Sequence, residues 1–153
     1  MNLLFLNLGG QEIILILIFP LIFLLIPFIF YLVFLQSFFR MISIENQRMS
    51  PSSVWLLLIP IFGLYWHFVI VKNLSDSIRD EAISMGLQLK EEKPAYNIGI
   101  AMCILNCCIA VPVVNALAGP ATLVLWILYW VKASEYKNQL SQSLVAVSNR
   151  RRE

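Results

Sequence analysis

IILILIFPLIFLLIPFIFYLVFL, residues 13–35, is the stretch whose reading decides the fold. It holds no Asp, Glu, Lys or Arg, and the next charge is Arg40. As a helix it would be roughly 35 Å long, against about 30 Å of bilayer hydrocarbon. It is therefore expected to span a membrane. No Lys or Arg precedes it and no Ala-x-Ala site follows, so it reads as retained rather than as a cleaved signal. Residue 2 is Asn and neither end carries Cys, so no lipid anchor is indicated.

The rest of the composition points the same way. Hydrophobic residues make up 59% of the 153 and charged residues 13%. Soluble chains run at about 45–50% and about 25%. The length suits one domain, and the net charge of +2 is too small to argue for nucleic acid. The expected environment is a lipid bilayer.

Three further apolar segments follow: Val54–Val71, Ile98–Val114 and Leu117–Val131. The second is entered through Ser50-Pro51-Ser52-Ser53, which offers a cap and a first-turn proline. Pro20, Pro27, Pro60 and Pro112 lie within or beside these segments and are expected to kink helices rather than end them. The last two segments would form a hairpin turning near Asn115, Gly119 and Pro120, the alternative being one overlong tilted helix across 98–131. Four spans would collect nine basic residues on one side, in 72–97 and from 132 onward, leaving Arg40 and Arg48 on the other. The positive-inside rule then puts both termini and 72–97 in the cytoplasm. The expected class is an all-α integral membrane protein of four helices, multi-pass, in a bacterial inner membrane.

Two stretches beyond the apolar segments carry helical periodicity. Val71, Leu74, Ile78, Ala82, Met85 and Leu89 recur at steps of three and four, as do Ala133, Tyr136, Leu140, Leu144 and Val147. The second and fourth segments are thus expected to continue as amphipathic cytoplasmic helices. Leu74, Ile78, Met85, Tyr136, Leu140 and Leu144 would face each other or a partner.

Few residues suggest chemistry. His67 with Cys103 and Cys107 can be drawn as a metal site, but no CxxC pair or second histidine completes four ligands. The simpler reading is a close-packing stripe of small residues, Gly99, Cys103, Cys107 and Ala110, with Asn106 hydrogen-bonding between helices. Asn115 would cap the hairpin, Glu12 would sit near a helix start, and Arg150-Arg151-Arg152 would form a solvated tail. No HExxH, GxSxG or P-loop is present, so neither a catalytic activity nor a cofactor is expected.

Pro51, Val54-Trp55-Leu56-Leu57-Leu58-Ile59-Pro60, Phe62-Gly63, Trp66, Phe68, Ser77 and Glu81 form a pattern, continued by Gly99, Ala101-Met102-Cys103, Trp126, Tyr129-Trp130, Lys132 and Tyr136. Over roughly residues 50–140 it resembles a family of small uncharacterised bacterial multi-pass membrane proteins. The resemblance implies no activity. The expected function is a non-catalytic membrane subunit or scaffold, homo-oligomeric or within a larger complex. The alternative is an oligomeric channel, transporter or membrane-permeabilising protein.

Overall fold

The structure, a computed structural model, describes residues 10–108 and 112–150, with side chains throughout except at 10, 11, 13, 17, 20, 21, 24, 112–118 and 150. Every element among the described residues is helical: α1 (Gly10–Met41), a 3-10 helix (Pro51–Leu58), α2 (Phe62–Ser84), α3 (Tyr96–Cys108) and α4 (Pro112–Arg150). The chain divides into two compact units, Met1–Phe34 and Leu35–Glu153. The first unit is the amino-terminal part of α1. The second holds the remainder, in which α3 packs against α2 and α4, and the 3-10 helix packs against α2.

The four-span membrane architecture is not what these helices support. Among the described residues, no helix is long and apolar enough to cross a membrane. The multi-pass class, the bacterial inner-membrane location and the cytoplasmic assignments drawn from them are corrected accordingly. The reasons differ by helix. The segment expected at Val54–Val71 is cut in two, and α2 carries Lys72, Asp76, Arg79, Asp80 and Glu81 from its middle onward. α3 has only 13 residues, about 20 Å of helix.

The cut in the second segment has a local cause. Pro60 has no N–H to continue a helix, and the chain turns around Ile61 at φ 66 and ψ −54. Phe62 N–H donates to Pro60 O at 2.7 Å across that residue, a γ-turn of the rare positive-φ kind. Gly63 completes the turn: its N–H donates to Ile59 O at 2.7 Å, and a Cβ there would overlap the Leu57 carbonyl. Pro60 therefore breaks the segment instead of kinking it. Pro112 likewise starts α4, where its missing N–H costs nothing. Pro20 and Pro27 lie inside α1, and Pro120 inside α4. The expected turn near 115–120 is helical, and the side chain of Asn115 lies outside the described residues.

Ser50 does precede the 3-10 helix with Pro51 following, but its hydroxyl meets Ser52 Oγ at 2.9 Å instead of capping a backbone N–H. α2 runs on continuously through Lys72 to Ser84 and stops there by a Schellman closure. Gly86 N–H donates to Ile83 O at 3.0 Å and Leu87 N–H to Ala82 O at 2.9 Å, with Gly86 at φ 69. The core of the second unit follows the helical period. Ile70, Val71, Leu74, Ile78 and Ala82 are buried along α2, and Tyr129, Ala133, Tyr136 and Leu140 along α4.

Candidate interaction surface

Gly99 marks the tightest crossing in the second unit. A Cβ there would lie 2.5 Å from Val71 Cγ1 and 2.8 Å from Tyr129 Cε2. α3 thus touches α2 and α4 through a residue with no side chain. One turn on, Cys103 is also buried, whereas Cys107 is exposed and Asn106 half-buried. Ala110 lies outside the described residues. Burial pushes the Cys103 thiol up to about 12, with the neighbouring Cys107 adding to the shift. Burial also lowers His67 to about 4, so its imidazole is neutral at pH 7. Among the described residues, no group of three or more His, Cys, Asp or Glu side chains could hold a metal ion.

The six residues expected to face each other or a partner divide. Leu74, Ile78, Tyr136 and Leu140 are buried within the chain, Met85 is half-buried and Leu144 is exposed. Four of the six are core. Nearby, a groove of about 390 Å³ opens between the segment after α2 and the far half of α4, lined by Leu87, Gln88, Lys90, Tyr136, Gln139 and Gln142.

A polar cluster that sequence reasoning did not select as a site holds residues 43–48 against α2. The carboxylate of Glu81, 3% exposed, accepts from Ser43 N–H at 3.3 Å, from Ser43 Oγ and from Asn46 Nδ2 at 2.7 Å. Asn46 Nδ2 also reaches Ser84 Oγ at 3.2 Å. Arg48 N–H donates to Ser77 Oγ at 2.9 Å while its guanidinium pairs with Asp80. Gln47 Nε2 donates to Phe39 O at 2.9 Å and Ile42 O at 2.8 Å, covering carbonyls at the end of α1. The legible signal was Glu81 and Ser77 at helical spacing from Leu74 and Ile78. A carboxylate entering a buried stripe needs donors from elsewhere in the chain. The cluster meets its own hydrogen-bonding needs and presents no open chemistry.

The largest feature left open is apolar. In the first unit Ile14, Leu15, Ile16, Ile18, Phe19, Ile22, Phe23, Leu25, Ile26 and Phe30 are all exposed, Phe19 at 75%. Isolated exposed apolar residues are ordinary, but contiguous apolar surface larger than about 300–600 Å² marks an interaction site. The tail at 150–152 lies outside the described side chains. Elsewhere Lys132 is paired with Glu91, as Arg48 is with Asp80.

No family model, curated protein or solved structure matches the chain.

Proposed function

We propose that this chain is a non-catalytic subunit of a protein assembly, with the second unit as a packed helical body and α1 as the element that associates. The observation that carries this reading is the run of exposed apolar side chains from Ile14 to Phe30. A helix apolar over so much of its circumference belongs inside something larger, because each Å² left in water costs about 25 cal/mol. The absence of catalysis is part of the proposal. His67 is buried and neutral, Cys103 is buried as a thiol, and Glu81 is engaged by Ser43 and Asn46. Arg48 is paired with Asp80 and Lys132 with Glu91, so neither is a free cation for a phosphate backbone. No described feature favours the channel or transporter alternative.

Mass measurement of the full chain, released from mild detergent after purification from its native source, tests this. A stoichiometric complex, homomeric or mixed, is the expected result. A protein found only as a monomer at every concentration overturns the proposal.

A further inference from the structure

Within the exposed surface of α1 one register runs longest and carries the three exposed phenylalanines, outlasting the parallel set Leu15, Ile18, Ile22 and Leu25. Ile16, Phe19, Phe23, Ile26, Phe30 and Val33 follow one another at steps of three, four, three, four and three. All six are exposed, from 47% at Val33 to 75% at Phe19. On a helix of 100° per residue they cover an arc of about 100° along roughly 25 Å. This alternation is the period of a helix-to-helix seam, in which side chains of one helix enter holes on its neighbour.

We propose that this stripe is a homotypic seam, along which α1 of one copy packs against α1 of a second copy. The proposal rests on the assembly reading above and specifies its contact. Two features favour a second copy over another occupant. No charged residue lies between Ile13 and Phe39, so two identical stripes meet without like-charge repulsion, as a two-fold contact between copies requires. Area is the other. With about 150–250 Å² for each large aromatic side chain, the six exposed side chains supply roughly 600 Å² per copy. Two copies then bury roughly 1,200 Å², the lower bound of specific interfaces.

The test uses the full chain and single glutamate substitutions, because glutamate keeps helix propensity while placing a charge on the seam. Phe19→Glu, Phe23→Glu and Phe30→Glu are compared with Leu25→Glu, an exposed residue on another face of α1. Sedimentation velocity in one mild detergent gives the mass, and circular dichroism checks helix content. The expected result is an oligomer for the wild-type chain and Leu25→Glu, with the dissociation constant raised at least tenfold in the seam variants at unchanged helicity. If the wild-type chain assembles and the seam variants assemble equally well, the seam is wrong while the assembly reading stands. Equal loss in Leu25→Glu also sinks the seam, since any apolar cover, including lipid or detergent, would then suffice. A wild-type chain that is monomeric alone but bound to a different protein overturns the homotypic seam and leaves the assembly reading intact. A chain monomeric in all preparations overturns both.

Discussion

Gly99 sits so close to Val71 that a methyl group on its Cα would lie 2.5 Å from Val71 Cγ1, with the ring of Tyr129 only slightly farther off. Three helices therefore meet at a residue that must have no side chain. Gly99→Ala is expected to destabilise the second unit by about 1–3 kcal/mol, the usual cost of overpacking. Urea titration followed by tryptophan fluorescence checks this. An unchanged midpoint would mean that α3 can move away freely.

Glu81 ties residues 43–46 to α2. Glu81→Ala leaves Ser43 N–H, Ser43 Oγ and Asn46 Nδ2 without their acceptor. The expected loss is about 1–3 kcal/mol, the cost of stranding buried polar groups. Amide exchange at Ser43 should also quicken. Unaltered exchange there would show that the carboxylate does not hold the segment.

His67 gives the stability a pH dependence whose sign follows from burial. Its pKa falls from an ordinary 6.5 to about 4 in the folded chain. The unfolded chain thus binds a proton that the folded chain refuses. The contribution is fully present above about pH 6.5 and is lost as the pH falls toward about 4, roughly 3 kcal/mol in all. Denaturation midpoints measured from pH 7 to pH 4.5 should decline, and the decline should be shallower in His67→Gln. Equal slopes in the two proteins would place the histidine in water.

The two cysteines Cys103 and Cys107 should separate by reactivity. Cys107 is exposed, whereas Cys103 is buried with its thiol held up near pKa 12. A maleimide at pH 7.5 is expected to modify Cys107 at least a hundredfold faster, because the thiolate is the reactive species. Peptide mapping after timed quenching reads the ratio. Comparable rates would mean that the α3 crossing opens readily.

Much of the secondary structure was legible, and the misreadings have physical causes. The helix over 13–35 follows from its apolar run, and the continuation of α2 past Lys72 follows from Leu74, Ile78 and Ala82. The break at 59–63 was not legible from Pro60 alone, since proline also occurs within helices. It took Gly63 under the Leu57 carbonyl to fix the turn. Pro112 was read as a kink because Asn115, Gly119 and Pro120 supplied a stronger turn signal, which helix α4 overrides. The two periodic stripes were legible, with their cover left open between each other and a partner. Periodicity puts Leu74 and Ile78 on one helix face and Tyr136 and Leu140 on another, without saying whether the chain itself or a partner covers them; the chain buries all four. The same gap lies behind the membrane reading, because composition counts apolar residues without saying what buries them. Glu81 shows the converse: a carboxylate among apolar neighbours gives no hint that its donors lie almost 40 residues earlier, at Ser43.

The central claim is that association covers the apolar surface of α1. Hydroxyl-radical footprinting of the assembled and dissociated fractions, at one detergent concentration, tests it most directly. Phe19 and Phe23 are compared with Ile44, which is 87% exposed and lies outside α1. The account predicts that Phe19 and Phe23 are protected in the assembled fraction and labelled on dissociation, while Ile44 is labelled equally in both. Labelling of Phe19 and Phe23 to the same extent in the two fractions would contradict it.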